Sequence, residues 1–89
     1  MQIESLKVFC DLAETTSFTK AAQINGVTQS AVSQQITALE TKFNAKFIER
    51  SKKRFTLTKE GETLYKSSKQ IVQSYEELRH RIQEIQNIV

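Results

Sequence analysis

Proline is absent from this sequence, and glycine occurs only twice, at Gly26 and Gly61. These two residue types interrupt helices and form turns more often than any others. Their scarcity over 89 residues predicts few loops and a mostly helical fold. A chain of this length forms one domain with a modest core, which dimerisation would help to stabilise.

Residue types that carry enzymatic or metal chemistry are also scarce. The sequence has one cysteine, Cys10, and one histidine, His80, which excludes an internal disulfide and a zinc-type ligand cluster. No glycine-rich phosphate loop, nucleophile elbow or paired-carboxylate pocket is recognisable. We expect Cys10 to be a buried packing residue rather than a redox sensor, and His80 to be solvated. The sequence predicts neither an enzyme nor a cofactor.

Long apolar segments are missing as well. No segment approaches the roughly 20 apolar residues that cross a bilayer. The N-terminus, Met1-Gln2-Ile3-Glu4, lacks the basic start and apolar stretch of a signal peptide. We therefore expect a cytoplasmic protein without a membrane partner, and a single cysteine agrees with a reducing compartment.

The positive charge excess is confined to one short segment. The formal net charge is only +3, and the rest of the chain is close to balanced. Within residues 46–54 the only acidic residue is Glu49, and the basic residues are Lys46, Arg50, Lys52, Lys53 and Arg54. A solvated loop and an electrostatic footprint for nucleic-acid phosphates both explain such a segment, and charge alone does not decide between them.

Apolar periodicity predicts three helices in the first half of the chain. Residues 3–14 form an amphipathic pattern, and Thr16 or Ser17 can cap a second, short helix that ends before Asn25-Gly26. Thr28 can cap a third helix that runs to about Phe43, where Asn44 can adopt the left-handed cap conformation.

The third predicted helix has two different faces. Its core stripe consists of Val32, Ile36, Leu39 and Phe43, and the opposite face carries Ser30, Ser33, Gln34, Thr37 and Thr41. Every residue of the opposite face is uncharged and able to hydrogen-bond, which suits the edges of DNA bases. A polar face with no binding role is the alternative.

A basic β-hairpin, or wing, is predicted after this helix. Residues 46–50 and 54–57 read as its two strands, with residues 51–53 at the tip. Phe47, Phe55 and Leu57 can pack inward, and the hairpin must lean on the helices because two strands alone are only marginally stable.

A long final helix is predicted from Thr58, its N-cap, to Val89, a length of about 47 Å. Gly61 in its first turn indicates close approach of another backbone or helix. A heptad pattern runs along it, with Leu64, Ile71, Leu78 and Ile85 at one seam position and Ser68, Tyr75, Ile82 and Val89 at the other. This stripe predicts self-association, although packing on the first helix is an alternative and both can hold along different parts of it.

Three motifs together resemble the LysR-type transcriptional regulators. The first is a helix-turn-helix signature comprising Ala21-Ala22, residues 27–33, Ile36 and Leu39-Glu40; the second is residues 47–50 and the third residues 57–61. The resemblance covers essentially all of residues 1–89. It implies a mostly α, winged helix-turn-helix fold with the helix at 28–43 in the major groove. It also implies a linker and dimerisation helix, followed in the family by an effector-sensing domain that lies outside this chain.

Four positions depart from the family pattern. The family usually has leucine at Asn25, often glycine at Asn44, commonly proline at Ser30 and often a basic residue at Gln34. Glutamine at position 34 lacks the charge but can still form a bidentate contact with adenine. Contacts at the start of the recognition helix are therefore expected to differ from those typical of the family.

Residues 1–58 are thus predicted to be the DNA-binding domain and residues 59–89 the linker and dimerisation helix of a bacterial regulator. We expect sequence-specific binding of double-stranded DNA by a homodimer at an imperfect inverted repeat in a promoter. A longer full-length protein would be dimeric or tetrameric, and would bind a small-molecule effector only through the further domain. The predicted DNA-binding residues are Thr28, Gln29, Ser30, Ser33, Gln34, Thr37, Arg50, Ser51, Lys52, Lys53 and Arg54. The predicted dimerisation residues are Leu64, Ile71, Tyr75, Leu78, Ile82 and Ile85.

Two other classes of function remain open on the residues alone. A small helical module whose long helix pairs with a different protein would explain the heptad stripe, but it gives the basic segment no role. An RNA-binding module is less well supported, because the phenylalanines occupy core-like positions and no aromatics are left exposed for base stacking.

Overall fold

Four helices make up the fold of residues 2–87, the part of the chain that the computed structural model describes. They are α1 (Ile3–Thr15), α2 (Phe18–Asn25), α3 (Gln29–Phe43) and α4 (Lys59–Gln86). The predicted N-caps Ser17, Thr28 and Thr58 are confirmed, since each side chain accepts a hydrogen bond from the backbone N–H three residues further on. These bonds satisfy amides that have no partner within their own helix.

Each of the first three helices is followed by a residue in the left-handed backbone conformation, which turns the chain sharply. Thr16, Gly26 and Asn44 have φ values of 56°, 64° and 51°. The N–H of Asn44 donates to the carbonyls at the end of α3, as predicted for a C-cap. Because only three residues separate α2 from α3, the two helices form a compact helix-turn-helix unit against α1.

The core lies between α1, α2 and α3 and is closed by residues that follow α3. Phe9, Leu12, Val32 and Ile36 are fully buried, and Cys10 is buried as predicted. The expectation that Phe43 belongs to the core stripe is wrong, because 48% of it is exposed. Its ring meets the Phe47 ring in an edge-to-face arrangement and lines an open groove beside α4.

The segment between α3 and α4 reverses direction without forming regular strands in the described part of the chain. Residues 46–57, which we call the basic loop, contain one antiparallel bridge between Ile48 and Leu57. Around it the N–H of Glu49 donates to the Thr56 carbonyl (2.8 Å) and the N–H of Thr58 to the Phe47 carbonyl (3.1 Å). The predicted two-stranded hairpin is therefore reduced to a single bridge, because residues 50–54 curl through exposed turns instead of extending the pairing.

Helix α4 packs on α1 with its first half and continues past the rest of the protein with its second. Leu64, Tyr65 and Val72 are packed against the core, whereas the residues beyond Glu76 are exposed. Its 28 residues span about 42 Å. The helix was predicted to run to Val89, but it ends at Gln86 with Asn87 as its C-cap, and residues 88–89 lie outside the described part. No helix between residues 2 and 87 combines the length and apolarity needed to cross a membrane.

Gly61 allows α4 to begin directly against the basic loop. A Cβ atom at this position would lie 2.0 Å from the carbonyl oxygen of Phe47, which is far inside van der Waals contact. The predicted reason for this glycine, close approach of another backbone, is thereby confirmed.

Candidate nucleic-acid interface

One exposed face of α3 carries a set of uncharged hydrogen-bonding side chains. It begins at the N-cap Thr28 and continues for about two and a half turns, roughly 14 Å along the axis. Its members are all exposed: Thr28, Gln29, Ser30, Ser33, Gln34 and Thr37. Val32 and Ile36 anchor the opposite side in the core, so the face has a fixed direction. An α-helix of ordinary diameter fits the major groove of B-DNA, which is about 12 Å wide.

The N-terminal turn of α3 is tied to α2. The side-chain amide of Gln29 donates to the hydroxyl of Thr19, which lies in the first turn of α2. The hydroxyl of Thr28 accepts from the N–H of Ala31 (3.0 Å) and keeps its own proton for donation. The sequence did not single out Thr19, because its partner lies ten residues away across the turn. The positive end of the α3 dipole favours anions at this point.

The basic loop carries exposed cations and one acidic side chain, Glu49. Arg50, Lys52, Lys53 and Arg54 are all exposed. The Ser51 hydroxyl (2.7 Å) and backbone N–H (3.3 Å) donate to the Glu49 carboxylate. These hydrogen bonds hold the pKa of Glu49 below its ordinary value, so this carboxylate remains negative among the cations. Ser51, one of the predicted DNA-binding residues, is thus engaged within the loop.

A buried carboxylate, which the sequence did not identify as functional, connects α3 to the basic loop. Glu40 lies in the last turns of α3 with only 6% of it exposed. One carboxylate oxygen accepts the N–H of Phe47 (2.9 Å), and the other lies 3.7 Å from the Arg50 guanidinium. The sequence pointed to Glu40 only through its place beside Leu39 in the family motif. Its partners, Phe47 and Arg50, lie beyond the end of α3, so the helical pattern could not reveal them.

Asn25, a departure from the family pattern, takes part in a polar cluster between α1 and α2. Its amide donates to the Asp11 carboxylate (2.9 Å) and to the Ala21 carbonyl (2.8 Å). The Lys7 ammonium donates to the same carboxylate oxygen (2.8 Å) and to the Asn25 side chain (3.1 Å). Hydrogen bonds of Asn25 therefore join the end of α2 to α1.

The solvent exposure of the heptad seam of α4 increases along the helix. Leu64 and Tyr75 are half-buried and Ser68 is buried, whereas Ile71, Leu78, Ile82 and Ile85 are 45% to 70% exposed. At the start of the seam an open groove of about 540 Å³ separates α4 from the end of α3. Its apolar lining includes Leu6, Phe43, Phe47, Leu64 and Ile71. Val89, the last predicted seam position, lies outside the described residues.

Titratable groups on the other side of α4 have a structural role. Glu14 of α1 accepts hydrogen bonds from Lys69 and from the Tyr65 hydroxyl (2.7 Å), and these bonds lower the pKa of Glu14. Burial raises the pKa of the Cys10 thiol to about 11, so the thiol is neutral and unreactive near neutral pH. Within residues 2–87 no three histidine, cysteine or acidic side chains are close enough together to hold a metal ion.

Comparison with protein families gives a match over most of the chain. The profile of the bacterial regulatory helix-turn-helix proteins of the lysR family matches residues 3–62. The HTH-type transcriptional regulator CysL of Bacillus subtilis is 39% identical over 82 residues, which are 92% of this chain and 27% of CysL. The HTH-type transcriptional regulator IlvY of Escherichia coli is 35% identical over 92% of this chain and 28% of its own length. The chain therefore spans about a quarter of the length of these relatives.

Solved structures share the same architecture. The BenM_DBD/catB site 1 DNA complex superposes with a TM-score of 0.90 at 26% identity, covering 98% of both chains. Vibrio fischeri DarR in complex with DNA superposes with a TM-score of 0.89 at 27% identity, covering 99% of this chain and 30% of DarR. Both structures contain DNA, and all four helices of the present chain fall within the aligned region.

Proposed function

Because the chain belongs to the lysR family of bacterial regulatory helix-turn-helix proteins, we propose that it binds double-stranded DNA in a sequence-specific manner, with α3 as the recognition helix. The resemblance found in the sequence motifs is thus confirmed at the level of the family. The observation that carries the proposal is the exposed face of α3, which offers only uncharged Ser, Thr and Gln side chains above a fully buried stripe. Such a face is unusual for solvent and suited to base edges.

The two ends of this face have different proposed roles. Thr28, Gln29 and Ser30 lie at the positive end of the α3 dipole and bind backbone phosphates or the nearest bases. Ser33, Gln34 and Thr37 lie further along and read base edges, with Gln34 able to pair with adenine through both of its side-chain groups. The hydrogen bond between Gln29 and Thr19 supports this division, because it fixes the first turn of α3 against α2.

The basic loop acts as the wing of the domain in this proposal. The exposed side chains of Arg50, Lys52, Lys53 and Arg54 bind phosphates beside the major groove, or enter the adjacent minor groove. Their contribution is to affinity rather than to sequence preference, because phosphate contacts carry no base information. Ser51 contributes less than these cations, since its hydroxyl is held by Glu49.

Selection of bound sequences from a random duplex pool tests sequence-specific binding. Gln34→Ala should lose about 1–3 kcal/mol of affinity for the selected site and relax the preference at one base pair in each half-site. The matched control Gln73→Ala, an exposed position on α4, should leave the selected sequence unchanged. Equal weakening of all duplexes by Gln34→Ala would show that Gln34 does not read a base.

The long helix is the proposed homodimer interface. The seam residues Ile71, Leu78, Ile82 and Ile85 form a stripe of exposed apolar surface that the other described residues of the protomer leave open, and such a stripe needs a partner helix. The groove of about 540 Å³ beside Leu64 and Ile71 is continuous with this stripe and is open to the same partner. A two-fold dimer would present two recognition helices to an inverted repeat.

An antiparallel arrangement of the two α4 helices explains both features. With the two-fold axis between Ser74 and Tyr75, Leu78 of one copy lies opposite Ile71 of the other, and Ile85 lies opposite Leu64. The uncovered half of each helix then closes the groove of its partner. In this arrangement the Arg79 and Arg81 pair of one copy lies roughly 16 Å along the helix axis from the same pair of the other copy. This distance exceeds the Debye length of about 8 Å at physiological salt, whereas a parallel dimer would place the two like-charged pairs side by side.

Cysteine cross-linking distinguishes these arrangements. In an antiparallel dimer, a mixture of Ile71→Cys and Leu78→Cys chains should form a disulfide under mild oxidation, while Ile71→Cys alone should not. A parallel dimer would give the opposite pattern. The native Cys10 does not interfere because it is buried. Sedimentation showing only monomer at all concentrations would contradict the dimer itself.

A further inference from the structure

Glu40 has an environment that few carboxylates share. It is buried on α3, and acidic side chains are almost never buried unless they are paired. Each of its two oxygens faces a different part of the basic loop: Oε2 accepts the Phe47 N–H (2.9 Å), and Oε1 faces the Arg50 guanidinium at 3.7 Å. One side chain of the recognition helix therefore contacts both the backbone at the start of the basic loop and the Arg50 guanidinium.

The contact at Phe47 also reaches the start of α4. The Phe47 carbonyl accepts the N–H of Thr58 (3.1 Å), and the Thr58 hydroxyl donates to the Lys46 carbonyl (2.5 Å). Backbone groups on both sides of Phe47 are thus held, one by α3 and the other by the residue that caps α4. The backbone at the base of the loop is fixed by these bonds, so the remaining freedom lies in the long side chains such as Arg50.

The Arg50 side chain is 54% exposed and its distance to Glu40 exceeds hydrogen-bond length. Its guanidinium therefore keeps donors that point to solvent, because the group presents five N–H bonds in a planar fork. A guanidinium can face a carboxylate with one edge and a phosphate with the other. Restricting a flexible cation before DNA arrives also lowers the side-chain entropy that binding would cost.

We propose that Glu40 is a positioning residue for DNA binding: through its ion pair it orients Arg50 so that the guanidinium meets a phosphate while α3 occupies the major groove. The inference rests on the proposed DNA binding and adds to it a carboxylate that does not itself touch DNA. Simple electrostatics gives the opposite expectation, because removing a negative charge near DNA should strengthen binding.

A double-mutant cycle tests this role. Glu40→Gln keeps an oxygen acceptor for the Phe47 N–H but removes the charge that orients Arg50. We expect it to weaken binding to the selected duplex about fivefold, and to have no weakening effect in the Arg50→Ala background. The control Glu77→Gln, which removes an exposed acidic charge on α4, should bind as tightly as the wild type or more tightly. Circular dichroism checks that each variant is folded.

The outcomes separate this inference from the proposed function. Unchanged or tighter binding by Glu40→Gln would overturn the positioning role, and equal weakening with and without Arg50 would assign Glu40 to packing alone. If Glu40→Gln does not fold, Arg50→Lys decides, because it leaves the Glu40–Phe47 bond intact. We expect Arg50→Lys to weaken binding although the charge is retained, and unchanged binding would overturn the inference. A wild-type chain that binds no duplex would instead refute the proposed function.

Discussion

Replacement of Gly61 by alanine tests the contact between α4 and the basic loop. In most helix positions this change stabilises a protein by about 1 kcal/mol. Here the new Cβ atom would lie 2.0 Å from the Phe47 carbonyl oxygen, so the loop or the helix must move by more than about 1 Å to restore ordinary contact. Such overpacking typically costs about 1–3 kcal/mol.

Movement of the Phe47 carbonyl also disturbs the hydrogen bond it accepts from the Thr58 N–H, at a cost of about 1 kcal/mol. The net destabilisation is about 1–3 kcal/mol once the helix propensity of alanine is included. For a domain of this size the melting temperature should fall by about 5–20 °C. Thermal unfolding followed by circular dichroism at fixed protein concentration measures it, with the exposed Ser74→Ala in the same helix as control. A melting temperature for Gly61→Ala equal to or above the wild type would refute this reasoning.

Two further predictions concern the contacts that hold the helices together. Hydrogen bonds from Lys69 and Tyr65 lower the pKa of Glu14, so its contribution to stability is present above its ordinary pKa and is lost as the pH falls through the lowered value. Glu14→Gln should reduce this acid-dependent loss of melting temperature below about pH 4.5, and a profile identical to the wild type would contradict it. Asn25→Ala should cost about 1–2 kcal/mol by removing its bonds to Asp11 and Ala21, measured by urea unfolding, and a smaller effect than that of the exposed Gln23→Ala would contradict the role of the cluster.

Helix positions could be predicted because their signals are local. Ser17, Thr28 and Thr58 cap the amides of the next turn, and these contacts depend only on residues three apart in the sequence. The left-handed conformation of Asn44 and the close approach at Gly61 were similarly encoded in single residues with few alternatives.

Contacts across the chain could not be predicted in the same way. The periodicity of α3 indicated which side Phe43 lies on, but it could not indicate that the groove between this residue and α4 is open among the described residues. The strands expected at 46–50 and 54–57 reduce to one bridge, because the extent of pairing depends on how the loop rests on the helices. The contacts of Glu40 could not be predicted, because its partners, Phe47 and Arg50, approach it only after the chain turns at Asn44.

The salt dependence of DNA affinity tests the central proposal most directly. If each subunit of a dimer neutralises about three to four phosphates, the plot of log affinity against log salt for the selected duplex should have a slope of about −5 to −7. Lys52→Ala in the basic loop should reduce that slope by about 2 for the dimer. Lys66→Ala, which removes the same charge from an exposed position on α4, should leave it unchanged. A slope near zero, or equal changes for the two lysines, would contradict DNA binding through the basic loop and α3.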